Sequence, residues 1–168
     1  MKKIYFLILG IGISNIGVAQ TNVRGYTHIY AGVGTSLTSP SKVINVNIET
    51  SSPKALKFGV NLEQTFYSSK KGWKNDFFDT EQKMITAGIY GKLSLSSSRN
   101  FAMNFSIGGN AGSDSKEFIY YPKIGLEECF WLSPNLQFVL SQNAAYLFNS
   151  QFTYKWLPTL NIGLKFGL

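Results

Sequence analysis

From Thr159 to Leu168 the chain alternates without a break. Leu160, Ile162, Leu164, Phe166 and Leu168 are apolar, and Thr159, Asn161, Gly163, Lys165 and Gly167 are polar or small. A period of two puts one set on each face of a β-strand. The chain as given stops on the apolar set. A bare apolar terminal strand invites edge pairing in a soluble protein. In a membrane barrel it closes the sheet and faces lipid.

The same period recurs upstream. Ile29, Ala31, Val33 and Leu37 oppose His28, Tyr30, Gly32, Gly34 and Ser36. Ile44, Val46 and Ile48 oppose Val43, Asn45, Asn47 and Glu49, and Phe58, Val60, Leu62 and Phe66 oppose Gly59, Asn61, Glu63, Thr65 and Tyr67. A fourth strand has Ile85, Ala87, Ile89, Leu93 and Leu95 against Thr86, Gly88, Tyr90, Lys92 and Ser94. A fifth has Phe101, Met103, Phe105 and Ile107 against Asn104, Ser106, Gly108 and Asn110. Ile124, Leu126, Phe130 and Leu132 against Lys123, Gly125, Glu127 and Cys129 make the sixth. Leu136, Phe138, Leu140, Ala144, Tyr146 and Phe148 against Gln137, Val139, Ser141 and Asn143 make the seventh.

The pattern predicts an all-β protein: an antiparallel up-and-down β-barrel of about eight strands, of the outer-membrane type. The predicted breaks are 38–41, 51–53, 68–82, 96–100, 112–117, 133–135 and 149–155. Short turns alternate with longer loops, as expected when both termini lie in the periplasm. The stretch 68–82 mixes Lys70, Lys71, Trp73, Asp76, Phe77, Phe78, Asp79 and Glu81, and reads as an exposed loop.

The charges decide which face is inside. Asn45, Asn47, Glu49, Asn61, Glu63, Lys92, Asn104, Lys123, Glu127, Asn161 and Lys165 share one face, and the other is nearly uncharged. Polar inside and apolar outside is the arrangement lipid requires. Glu49, Glu63 and Glu127 are placed to pair with Lys92, Lys123 and Lys165 in a narrow lumen, which predicts a plug rather than an aqueous pore. Glu128 and, more mildly, Gln142 break the rule by falling on the apolar face. An interfacial depth, a bulge near Glu128 or a partner protein would each account for the charge. Trp131 and Trp156 lie beside breaks, as in an aromatic girdle, though core packing explains each equally well.

At the other end, Met1-Lys2-Lys3 precedes an apolar run from Ile4 to Ile16 and then Gly17-Val18-Ala19. This is the composition of a cleavable signal peptide, residues 1–19, leaving a single barrel domain over 20–168. Loss of Lys2 and Lys3 takes the formal charge from +7 to +5. The remaining basic residues form no stripe, so direct nucleic-acid binding is not expected. Cys129 is the only cysteine, which excludes an intrachain disulfide and a cysteine metal site.

Catalytic chemistry is sparse. His28 is the only histidine, and no serine stands out as a partner for acyl hydrolysis. Glu63 and Glu127 suit an acid/base pair, but interior salt bridges explain them more simply. Cys129 reads as a packed side chain. Neither metal-ligand spacing nor a phosphate-binding glycine motif is present. No catalytic residue, metal or cofactor is expected.

Two resemblances add to this reading. Asn161, Gly163, Phe166 and Leu168 are similar to the C-terminal assembly signal of outer-membrane barrels, which implies recognition by the barrel assembly machinery. The segments Tyr30–Gly34, Phe105–Gly112, Ile124–Leu140 and Leu160–Leu168 resemble the TraO family of conjugative-transposon transfer proteins. That resemblance implies a non-enzymatic outer-membrane component of a DNA-transfer apparatus, with outer-membrane lipid and other conjugation proteins as partners. The alternative is a general small outer-membrane barrel for envelope stability or adhesion. A lipid-modifying enzyme is a third reading, with His28 as its only candidate.

Overall fold

The computed structural model describes residues 27–38, 41–51, 56–67, 82–114, 116–149 and 155–168. The expected signal peptide and most of the 68–82 loop lie outside them. The described residues form eight strands: β1 (Thr27–Ser36), β2 (Ser41–Ser51), β3 (Leu56–Tyr67), β4 (Gln82–Ser97), β5 (Phe101–Ser113), β6 (Phe118–Ser133), β7 (Leu136–Tyr146) and β8 (Trp156–Gly167). Each pairs antiparallel with the next, and β8 pairs back onto β1 to close the barrel. Closure leaves no unpaired edge for lipid to meet.

The stagger follows from the pairing. Stepping from Thr27 through Thr50, Phe58, Gly91, Ile107, Ile124, Ala144 and Pro158 returns to β1 at Leu37, whose N–H donates to the Pro158 carbonyl at 2.9 Å. The register has climbed ten residues, from 27 to 37, in one circuit. For eight strands this stagger tilts them by about 40° and leaves an interior just wide enough for side chains.

Connections at the end where β1 begins and β8 finishes (the terminal end) are 52–55, 98–100 and 134–135. At the opposite, loop end they are 37–40, 68–81, 114–117 and 147–155. Several strands run further than the alternation alone suggested. Gly112 and Ser113 belong to β5, Ser96 and Ser97 to β4, Phe118–Pro122 to β6, and Ser41 and Ser51 to β2. The β5–β6 connection is therefore tight. Asp114 Oδ1 accepts the N–H groups of Lys116 and Glu117 at 3.1 and 2.8 Å. Pro122 hid the start of β6. Tyr120 and Phe148 form a hydrogen-bonded bridge, so Pro122 falls at the next bonding position without an N–H to give, and the β6–β7 ladder resumes at Lys123.

The outer face carries the apolar half of each strand. Leu62, Ile89, Ile107 and Phe166 are all at least half exposed. A nearly uncharged apolar belt is what a bilayer covers. Outward aromatics cluster at both ends of β5–β8. Phe130 packs between Phe101 and Phe138, with centroids 5.2 and 6.3 Å away, towards the terminal end. Tyr120, Phe148, Tyr146 and Trp156 form a run of successive ring contacts at the loop end. Trp131 instead sits at the terminal rim, its backbone N–H donated to the Asn100 carbonyl at 3.1 Å.

Glu128 points outward, opposite Met103 and Leu140, with an unbroken register on both sides. The bulge considered for this position lies further on, between Trp131 and Ser133. Gln142 also points outward, between Leu126 and Leu160.

One part of the interior differs from the expected polar lining. At the loop end Tyr67, Met84, Ile119, Tyr121, Ala145, Leu147 and Leu157 pack together inside the barrel, all buried. The strand lengths account for this. β4 and β6 have 16 residues each, more than the roughly 9–11 that cross a bilayer. The excess is packed from inside, as in a soluble barrel.

Candidate functional site

The lumen is where the charged residues converge. At its centre four side chains form a closed ring. Lys92 Nζ lies 2.6 Å from Glu49 Oε2 and 2.5 Å from Glu127 Oε2. Lys165 Nζ lies 2.9 Å from Glu49 Oε1 and 2.6 Å from Glu127 Oε1. Each lysine thus touches both carboxylates, and each carboxylate oxygen has its own lysine. Tyr90 Oη donates to Glu49 Oε2 at 3.2 Å, and Asn104 Nδ2 donates to Glu127 Oε1 at 3.1 Å. Cys129 Sγ donates to the same Glu127 oxygen at 3.3 Å. The ammonium of Lys92 also lies 4.8 Å from the Tyr90 ring centroid.

Topology explains why these four meet. Glu49, Lys92, Glu127 and Lys165 come from β2, β4, β6 and β8. In a staggered eight-stranded barrel, side chains at one height come from alternate strands. All four are almost wholly buried, Glu49 and Lys165 at 1% exposure. Burying a single charge costs several kcal/mol, on the order of what a good ion pair returns. Two charges of each sign, every one doubly paired, make the arrangement neutral and satisfied.

A second charged layer lies nearer the loop end. Lys123 pairs with Glu63 Oε2 at 2.5 Å, and Tyr121 Oη donates to Glu63 Oε1 at 2.9 Å. Thr86 Oγ1 is 2.9 Å from the same phenol, and Asn110 Nδ2 donates to both oxygens at 3.3 and 3.2 Å. All six candidate network residues therefore face the lumen, four in the ring and two in this layer. Glu63 and Glu127 sit in different layers, Glu63 paired with Lys123 and Glu127 with Lys92 and Lys165. The alternation missed Lys57, which precedes Gly59 and Asn61 on the inward face and approaches Asn104 Oδ1 at 3.5 Å. Extending the third strand by one step would have found it. Nothing local marks Tyr121, Thr86 or Cys129 as partners of these charges.

Two tyrosines fill the remaining width by lying over glycines. A Cβ on Gly59 would come within 2.5 Å of the Tyr90 ring, and one on Gly163 within 2.6 Å of the Tyr30 ring. Gly163, a candidate assembly-signal residue, thus also makes room for Tyr30. Asn161 of that set faces the lumen, buried, and Phe166 faces outward. Leu168 follows the last strand and donates its N–H to the Thr27 carbonyl at 2.9 Å. His28 is buried on the lumen side, opposite Glu49 and Gly167. Among the described residues no group of three or more histidine, cysteine, aspartate or glutamate side chains is arranged to hold a metal ion.

No protein-family model and no curated protein matches the chain in sequence. Solved structures do match in shape. A de novo designed transmembrane β-barrel superposes with a TM-score of 0.60 at 17% identity, over 87% of this chain and 98% of the design. The Yersinia pestis outer membrane protein Ail, in a phospholipid nanodisc, gives 0.54 at 14% identity, over 86% of this chain and all of Ail. Neisserial surface protein A gives 0.51 at 12% identity, over 84% and 94%. The fold is that of a small outer-membrane β-barrel. At these identities the likeness concerns shape alone.

Proposed function

We propose that the chain is a non-enzymatic barrel of the outer membrane that stabilises the envelope or mediates adhesion through its loop end. The observation that carries this is the locked lumen inside an apolar belt. The carboxylates Glu49, Glu63 and Glu127 are each paired with lysines. Ail is described as an attachment invasion locus protein, and the Neisseria protein as a surface protein. Both descriptions fit a barrel whose interior is structural and whose loops meet the surroundings. Cell fractionation with heat-modifiable gel migration tests the placement, and recovery as a soluble periplasmic protein would overturn it. Detergent sensitivity and surface attachment of a deletion strain test the role.

A second reading follows from the TraO-like segments. They fall on β1, β5, β6, β7 and β8, and these include the strands that carry Glu127 and Lys165. In this reading the barrel anchors a conjugative DNA-transfer apparatus. DNA-transfer frequency from a donor lacking the gene tests it. Loss of transfer with an intact envelope, restored by complementation, supports the reading, and normal transfer removes it. In either role, the barrel assembly machinery would recognise the terminal strand through Asn161, Gly163, Phe166 and Leu168.

A further inference from the structure

A small space lies between the two charged layers. It is a cavity of about 50 Å³, with Lys92 and Glu127 on one side and Lys123 and Asn110 on the other. Asn45, Asn47 and Asn61 line its wall, and the side-chain amide oxygen of each is buried without a hydrogen-bond partner in the protein. Asn45 and Asn61 are at least nine-tenths buried. Three unpaired amide oxygens on one small polar cavity are costly unless a donor reaches them. Apolar cavities stay dry, but a polar one of this size takes about three or four waters.

We infer that this chamber is a binding site for a resident water cluster, and that the lumen is closed on both sides of it. The four-charge ring closes the terminal side. The Glu63–Lys123–Tyr121 layer closes the loop side, backed by the dry packing of Met84, Ile119, Leu147 and Leu157. The two closures differ in chemistry and share no residue, so opening one leaves the other intact. This inference holds for either envelope role and does not depend on which is correct.

Nuclear magnetic resonance of the full barrel in nanodiscs tests the site directly. Side-chain amide protons of Asn45, Asn47 and Asn61 should show cross peaks to long-lived water. Asn61→Leu should remove them at Asn45 and Asn47 while heat-modifiable migration persists. Absence of water cross peaks in the native barrel would overturn the site. Closure is tested with Asn61→Cys in a Cys129→Ser background, using a charged, membrane-impermeant thiol reagent on oriented vesicles. The thiol should resist labelling from both sides. Adding Lys165→Ala and Glu127→Ala should open it to the terminal side only, with ion conductance still absent. Labelling of the unopened barrel from either side, or conductance after opening one side, would overturn closure at two points.

Discussion

Removing two members of the four-charge ring that touch each other should cost less than the sum of removing each alone. Lys165→Met takes away the contacts at 2.9 and 2.6 Å and leaves Glu49 and Glu127 sharing Lys92. An uncompensated buried charge typically costs about 3–5 kcal/mol. That is roughly two to four powers of ten in the unfolding equilibrium. Adding Glu127→Gln restores neutrality and leaves one intact Glu49–Lys92 pair at 2.6 Å. The double variant should recover roughly 1.5–3 kcal/mol relative to the sum of the singles. Urea unfolding of the barrel in lipid vesicles, followed by tryptophan fluorescence, gives all four corners of the cycle. Single losses below about 1 kcal/mol, or strict additivity, would refute the view that the ring acts as a unit.

Other substitutions probe other layers. Gly59→Ala should displace the Tyr90 ring and cost about 1–3 kcal/mol, measured by the same unfolding assay. Ile89→Arg, at a position 72% exposed on the outer face, should cost about 2–4 kcal/mol in vesicles if it lies near the bilayer centre. Glu128→Leu should stabilise the vesicle-embedded barrel by up to about 1 kcal/mol, and a loss of stability would show that the carboxylate has a partner. His28→Ala should leave the lipid profile of whole cells unchanged, because the side chain is buried in the lumen rather than set in a cleft.

The architecture was legible because lipid imposes a strict period. Glu49, Lys92, Glu127 and Lys165 fall on the parity opposite to that of the outward Ile48, Leu93, Leu126 and Leu164, so parity alone assigns them to the lumen. Which of them touch could not be read the same way. The ring joins strands that are not neighbours in the sheet, and that juxtaposition depends on the ten-residue stagger, which no local motif encodes. Strand ends were obscured where residue type misleads. Gly112 looked like loop, yet its missing Cβ lets the backbone at Ile85 and Thr86 come close. The inward Met84, Ile119 and Leu157 look like lipid-facing residues by composition, and only the strand lengths place them inside a barrel end.

The way the ring is divided among the strands bears on how the barrel recognises its own completion. Glu49, Lys92 and Glu127 lie on β2, β4 and β6, and together they carry one excess negative charge. Lys165 cancels it, and it does so from the strand that also makes the final seam with β1. A slip of one residue in that strand would turn the ammonium out to lipid, and a slip of two would carry it about 7 Å along the strand, away from both carboxylates. Electrical neutrality of the ring and correct zipping of the seam are therefore the same event. The lumen works as a lock that only the final strand, in its one proper alignment, can turn.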